Sequence, residues 1–132
     1  MNQNIDEQRL KQLCQKYGIL LVIIHGSYAK GNARKESDID IGLLSRKKFD
    51  ADDKLNILND LGEVFGDRFD PVFLNGAEPL ICYQVSIHGK PLYEDKKGIF
   101  ENFRIQAIAR YMDSKKFRNL EKSYLKRAVG KA

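Results

Sequence analysis

The sequence predicts a mixed α/β fold in which helices pack on a small β-sheet. Residues 19–24 form a continuous apolar run rich in branched side chains and bounded by glycines, which is typical of a strand buried on both faces. Residues 38–44 begin by alternating acidic and apolar side chains, the two-residue period of a strand with one polar face. Helical periodicities precede, separate and follow the predicted strands, and this order favours an α/β architecture.

The first predicted helix lies before the buried strand. Its apolar positions recur at helical spacing, and they are Leu10, Leu13, Cys14 and Tyr17. Gly18 follows as a residue suited to end a helix. Because Cys14 falls on the apolar face of this helix, we interpret it as a buried reduced thiol, and we assign no function to Cys82, the only other cysteine.

A second helix and a third strand are predicted in the middle of the chain. Asp50 or Asp52 can cap the helix, and Gly66 ends it. Its expected apolar positions are Leu55, Leu58, Leu61 and Phe65. Residues 69–74 then predict a strand, in which Pro71 lacks an amide hydrogen and therefore indicates an edge or distorted strand.

The last third of the chain is predicted to be mostly helical. A short helix is expected after Pro79, and residues 89–93 can return as a short edge strand. Phe100, Phe103 and Tyr111 have the spacing of a packed helix, and the apolar residues from Phe117 to Leu125 predict a final one. We expect a single domain over 1–132, with a core at about 18–95 and C-terminal helices at about 96–128.

Composition excludes several classes of protein. The chain has 132 residues, 42% of them hydrophobic and 31% charged, and no apolar run approaches the roughly 20 residues that span a bilayer. The N-terminus lacks a secretion signal, so the expected location is the cytosol, without membrane association. The net charge of +5 comes from the C-terminus, where residues 114–132 carry seven basic side chains and one acid. Such a basic helix is typical of a solvated face, but it could also bind an acidic partner or RNA.

The pair Asp38 and Asp40 is the first candidate functional feature. Alternate residues of a strand point to the same face about 6.5–7 Å apart, so both carboxylates project together while Ile39 and Ile41 enter the core. Like charges placed side by side are destabilising unless a cation compensates them. Carboxylate oxygens suit Mg²⁺, which commonly binds one or two carboxylates together with substrate phosphates.

The second feature is the pair Gly26 and Ser27, which directly follows the buried strand. Glycine permits a close approach of the backbone to a ligand, and the serine hydroxyl with the following amides can form a phosphate-binding corner. Lys30 and Arg34 lie in the same polar stretch and can pair with a polyphosphate. Either feature alone is typical of a turn or an exposed strand. Ten residues separate Ser27 from Asp38, and the combination indicates a site for a nucleotide and Mg²⁺.

These residues also carry a family resemblance. Residues 26–31 (GSYAKG) followed by residues 37–41 (SDIDI) closely resemble the minimal nucleotidyltransferase family of the DNA polymerase β superfamily, whose pattern is Gly-Ser, ten residues, Asp-x-Asp. The likeness extends more loosely over residues 18–113. The resemblance implies a DNA polymerase β-like nucleotidyltransferase fold, ATP as the substrate and Mg²⁺ as the cofactor. The family also has a third carboxylate on a neighbouring strand, for which Asp70 fits best and Asp67 less well.

The small size is similar to that of the antitoxin branch of this family. The resemblance then implies transfer of AMP from ATP to a hydroxyl group, a tyrosine in that branch, on a partner toxin with a helical HEPN domain. Two alternatives stay open. The protein could neutralise its partner by covering it without catalysis, or it could transfer a nucleotide to a small molecule or RNA. The short chain disfavours the last, because it offers no second domain for an acceptor pocket, and we do not expect direct nucleic-acid binding.

Overall fold

A computed structural model describes residues 5–26 and 38–130 of the chain. It contains four strands and four helices in the order α1, β1, β2, α2, β3, α3, β4 and α4. The strands are β1 (Ile19–His25), β2 (Ile39–Ser45), β3 (Phe69–Phe73) and β4 (Lys90–Glu94). The helices are α1 (Glu7–Tyr17), α2 (Ala51–Phe65), α3 (Pro79–His88) and α4 (Ile99–Gly130).

The four strands form one mixed sheet in the order β3-β2-β1-β4. Strand β1 runs antiparallel to both of its neighbours, β2 and β4, whereas β2 and β3 are parallel. The predicted small mixed sheet is confirmed, with the apolar run as a central strand. Because β1 is covered on both faces, its side chains from Leu21 to Ile23 are completely buried.

Helices cover the two faces of the sheet in pairs. On one face, α1 and α2 pack against alternate residues of the strands, and the cluster includes Leu10, Val22, Ile41 and Leu61. On the opposite face, α3 and α4 cover a second cluster, which includes Leu21, Ile23, Leu74, Val85 and Ala107. The sheet is therefore the middle layer between two layers of helices.

The boundaries of the first two helices follow from their caps. The side chain of Asp6 accepts a hydrogen bond from the amide of Arg9 at the start of α1, and Gly18 ends the helix in the left-handed conformation (φ 70°). Asp50, not Asp52, caps α2 by accepting from the amide of Asp53.

The expected apolar face of α2 is partly wrong. Leu55 is 63% exposed, whereas Ile57 and Val64 join Leu61 and Phe65 in the core. The sequence offered leucines on two overlapping helical faces, and the choice between them depends on the position of the sheet.

Strand β3 lies at the edge of the sheet, as the proline indicated. The amide of Leu74 donates to the carbonyl of Leu43, and the carbonyl of Arg68 accepts from Ile39. Since alternate residues of a strand point their backbone groups to the same side, even-numbered positions face β2 and the nitrogen of Pro71 faces the open edge. The proline therefore removes no hydrogen bond from the sheet.

The C-terminal region differs from the prediction of separate helices. Residues 99–130 form one continuous helix, α4, because no glycine or proline interrupts the chain between Ile99 and Val129. Its first part packs on the sheet through Phe100, Phe103 and Ala107. In the described part of the chain, no helix combines the length and the apolar character needed to cross a bilayer.

Candidate active site

Three neighbouring strands place His25, Asp40 and Asp70 side by side. Asp40 of β2 is the register partner of His25 in the antiparallel pair with β1. It is also the register partner of Asp70 in the parallel pair with β3. Because register partners point to the same face of a sheet, the two carboxylates and the imidazole form one row across the sheet.

Asp38 stands directly before β2 and two residues before Asp40. The intervening Ile39 is 2% exposed and Ile41 is completely buried, so these side chains enter the core on the opposite face. Asp38 is exposed and Asp40 is half-buried. The orientation predicted for the Asp-x-Asp segment is therefore the one the structure has.

The row of polar groups lies at an open end of the α3–α4 face. Further along the strands this face is closed, because a β carbon placed at Gly42 would lie 3.1 Å from Cδ1 of Leu74 and 3.3 Å from Cγ1 of Val85. Beyond Gly42 the strands reach Asp40 and Asp70, where β1 ends and β2 and β3 begin. The carboxylates are thus held on rigid strands and stay accessible from solvent, as a ligand site requires.

Gly26 brings the backbone close to one of these carboxylates. It follows β1 with φ +71°, a conformation that residues with a β carbon rarely adopt. A β carbon at this position would lie 2.0 Å from Oδ2 of Asp40. The absence of a side chain at residue 26 therefore lets the Asp40 carboxylate pack against the end of β1.

The neighbouring acidic residues affect the pKa of Asp40. Burial raises the pKa of Asp40, the imidazole of His25 opposes this effect, and the negative charges of Asp70 and Asp38 raise the pKa further. Negative charge at Asp40 is therefore incompletely compensated by the described part of the protein. A cation placed beside these carboxylates would relieve this repulsion.

The side chain of His25 lies next to the acidic pair, because His25 and Asp40 are register partners. Burial lowers its pKa, although Asp40, a hydrogen bond with the backbone of Ile41 and the charge of Asp70 all act in the opposite direction. Its Nε2 atom is buried without a hydrogen-bond partner among residues 5–26 and 38–130. A histidine at the end of a strand, directly before a Gly-Ser pair, is the sequence signal for this position.

The described side chains alone do not build a complete metal centre. Within the two described ranges, no three or more His, Cys, Asp or Glu side chains form a group that could hold a metal ion. The pair formed by Asp40 and Asp70 nevertheless supplies oxygen donors from adjacent strands, with Asp38 nearby. This donor set fits Mg²⁺, because Mg²⁺ often binds through one or two carboxylates and completes its shell with phosphates and water.

Three predicted phosphate-binding residues, Ser27, Lys30 and Arg34, lie outside the described residues. Their roles stay predictions, and so do those of Gly26, Asp38, Asp40 and Asp70. Neither cysteine belongs to the site. Burial raises the pKa of Cys14 to about 12 and raises that of Cys82, so both remain buried, protonated thiols.

The chain is similar to known nucleotidyltransferases. A family model described as polymerase β, nucleotidyltransferase matches residues 8–98. A protein adenylyltransferase MntA from Shewanella oneidensis is 30% identical over 91 residues, which are 69% of this chain and 65% of that protein. A protein adenylyltransferase MntA from Aphanizomenon flos-aquae is 30% identical over 120 residues, covering 83% of this chain and 80% of that protein. The match thus spans slightly less than two-thirds of the Shewanella protein.

Solved structures share the fold. A toxin–antitoxin structure with AMP-PNP matches with a TM-score of 0.75 and 24% identity, over 92% of this chain and 98% of that chain. A complex of tri-AMPylated Shewanella oneidensis HEPN toxin with MNT antitoxin matches with a TM-score of 0.68 and 23% identity, over 90% of this chain and 94% of that chain. A minimal nucleotidyltransferase matches with a TM-score of 0.54 and 28% identity, over 69% of this chain and 100% of that chain.

Proposed function

The chain belongs to the polymerase β nucleotidyltransferase family, and on that premise we propose that it transfers AMP from ATP to a hydroxyl group of a partner HEPN toxin. The observation that carries the proposal is the register pairing of Asp40 with Asp70, with Asp38 two residues away and Gly26 in contact. The relatives named as protein adenylyltransferases support a protein as the acceptor. Tyrosine is the acceptor side chain that the resemblance to the antitoxin branch implies.

Each acidic residue has a distinct place in the proposed site. Asp38, directly before β2, and Asp40 on β2 would hold Mg²⁺, and Asp70 would add a carboxylate from β3. Bound Mg²⁺ supplies neutralisation of the charge on the triphosphate and on the leaving pyrophosphate. Because the described carboxylates supply only part of the oxygen ligands that Mg²⁺ requires, we expect the metal to bind together with ATP, whose phosphates supply others. Ser27, Lys30 and Arg34 are expected to contact the phosphates.

The reaction is an in-line displacement at the α-phosphorus of ATP. The acceptor oxygen forms a bond to this phosphorus, and the bond between the α-phosphorus and the bridging oxygen breaks, so pyrophosphate leaves. Asp70 accepts the proton of the hydroxyl group. Positioning by β2 and β3 supplies a large part of the rate enhancement, because strands hold the carboxylates in a fixed relation before the substrate arrives.

A non-catalytic antitoxin is the second candidate function. The observation that favours it is the C-terminal half of α4, which is exposed over its whole length and offers a surface that could cover a partner. Under this alternative the carboxylates would be dispensable for neutralisation.

Isotope labelling tests the proposed chemistry directly. We expect ATP labelled at the α-phosphate to transfer its label to the purified HEPN partner in the presence of Mg²⁺. ATP labelled at the γ-phosphate should leave the partner unlabelled and release its label as pyrophosphate. Label from the γ-position on the partner would instead indicate a kinase, and no transfer of either label would favour the covering antitoxin.

A further inference from the structure

The C-terminal part of α4, residues 114–130 and hereafter distal α4, extends away from the packed body of the protein. Every residue from 115 to 130 is exposed. The segment is about 25 Å long at 1.5 Å per residue. Most helical stability in proteins comes from the packing of one face, so distal α4 is expected to gain stability from a binding partner.

Distal α4 nevertheless has an apolar stripe. Phe117, Leu120 and Tyr124 are three and four residues apart, which places them on one face of the helix. They are 66%, 64% and 73% exposed, respectively. Leu125 and Val129 widen the stripe on one side and are 55% and 74% exposed. This pattern matches the anchors by which an amphipathic helix occupies an apolar groove.

Basic side chains border the stripe and cover the opposite side of the helix. Residues 114–130 contain six basic side chains and one acid, Glu121. At 100° per residue, Lys116 and Arg127 border the stripe beside Leu120, whereas Arg118 lies on the other side, between Leu125 and Val129. None of the three described salt bridges involves this segment. A complementary groove would therefore carry carboxylates along its rims.

The charge of distal α4 and the positions of its apolar side chains favour one kind of binding partner over the others. A second copy of distal α4 would oppose two strongly basic segments, so self-association is disfavoured. A membrane surface would have to bury Glu121, which lies in the apolar arc between Phe117 and Leu125, at considerable cost. Nucleic acid would offer phosphates to the basic side chains. Apolar side chains occupy the centre of this surface, however, and the basic side chains lie only at its borders, so nucleic acid is disfavoured. A protein groove can satisfy the apolar centre and the basic borders together, and unlike the interior of a membrane it can offer Glu121 a polar partner.

The structural comparisons point the same way. The toxin–antitoxin structures match 92% and 90% of this chain, which requires that part of α4 is included. The minimal nucleotidyltransferase is matched over its whole length by only 69% of this chain. A long α4 is thus compatible with the chains seen in toxin–antitoxin complexes.

We propose that distal α4 is the helix by which this protein docks its partner, with Phe117, Leu120 and Tyr124 inserted in an apolar groove whose rims carry carboxylates. The identification of that partner as the HEPN toxin rests on the proposed function. Docking through this segment places recognition on α4, separate from the carboxylates that perform the transfer. Binding and catalysis can then be removed independently.

The test measures binding of the full chain to the HEPN-domain partner of the proposed function, in the Asp38→Asn/Asp40→Asn background so that no transfer alters the partner. Phe117→Ala/Leu120→Ala/Tyr124→Ala should weaken binding by about 100-fold or more, because buried aromatic anchors dominate such interfaces. Alanine favours helix, so α4 should persist, which circular dichroism checks. The matched control, Lys115→Ala/Lys122→Ala/Lys126→Ala, changes three residues on the opposite side and should stay within about threefold.

One further double variant and two other binding assays separate the alternatives. Lys116→Glu/Arg127→Glu should slow association, and the wild-type association rate should fall as salt increases. Unchanged affinity of the stripe variant overturns the proposal. The proposal is also overturned if the wild type dimerises with increasing concentration, or binds phosphatidylserine vesicles, and the stripe variant abolishes that association. If the partner binds through the stripe but wild-type protein transfers no AMP, the docking inference stands and the proposed enzymatic function fails.

Discussion

The carboxylate of Asp40 occupies the space that a β carbon would need at Gly26, since that atom would lie 2.0 Å from Oδ2. The contact joins the end of β1 to the acidic segment of β2. It places Gly26 of the predicted Gly-Ser pair beside Asp40 of the predicted Asp-x-Asp pair, as the proposed site requires. A side chain at residue 26 must displace the carboxylate or the strand end.

Replacement of Gly26 should therefore damage the site as well as the fold. Gly26→Ala is expected to lower the free energy of unfolding by about 1–3 kcal/mol through its positive φ, and to reduce AMP transfer by about 100-fold through misplacement of Asp40. Gly66→Ala is the control, because Gly66 also has positive φ (83°), but a β carbon added there would meet nothing within 4 Å. The control should lose stability and keep its activity; urea denaturation and a transfer assay compare the two.

Asp70 should be needed for catalysis and Asp67 should not. We expect Asp70→Asn to reduce transfer by about 10²–10⁴-fold, because it loses the group that accepts the proton. Asp67 is an exposed residue before β3, with no register partner in the sheet, so Asp67→Asn should change the rate by about twofold at most. Initial rates at saturating ATP measure both. Equal losses of transfer rate in the two variants would mean that Asp70 is not the third carboxylate of the site.

Much of this site could be predicted from the sequence because local patterns define it. The alternation at Asp38 and Asp40 and the buried run before Gly26 indicate strands, faces and ligand chemistry without any knowledge of distant contacts. The place of Asp70 also followed from a strand pattern and the family resemblance. What the pattern left open was the effect of Pro71, which depends on the side of β3 that lacks a neighbour.

Other features could not be predicted from the sequence, because they depend on the register of the strands or on the packing of the helices. His25 lies beside Asp40 only because β1 and β2 pair antiparallel with that register, which no local pattern specifies. The apolar residues from Phe117 onward have the spacing of a packed helix, but they belong to a continuous α4 with no layer of the described protein beside them. Amphipathic spacing predicts a face that can be buried, and it does not tell whether the same chain buries it.

A hydrogen bond between α1 and α2 should give the stability a dependence on acid. The hydroxyl of Tyr17 donates to Oδ2 of Asp60 at 2.6 Å, and this bond lowers the pKa of Asp60 below its ordinary value of 3.8. A lowered folded-state pKa stabilises the protein above the ordinary value, and the stabilisation disappears as the pH falls through the lowered value. Tyr17→Phe should cost about 0.5–1.5 kcal/mol at neutral pH.

The pH dependence of that difference is the decisive part. The wild type and Tyr17→Phe should approach equal stability in acid, once Asp60 is protonated in both states. Guanidinium denaturation at a series of pH values from neutral to acid measures the difference. A difference that stays constant to the most acid pH would mean that the tyrosine stabilises by packing rather than through the carboxylate.

The intact mass of the HEPN partner, after incubation with this protein, ATP and Mg²⁺, tests the central claim most directly. The account predicts a gain of one or more AMP units with the wild type and no gain with Asp38→Asn/Asp40→Asn, although that variant still folds and binds the partner. No gain with the wild type despite a stable complex, or an equal gain with both proteins, would contradict it.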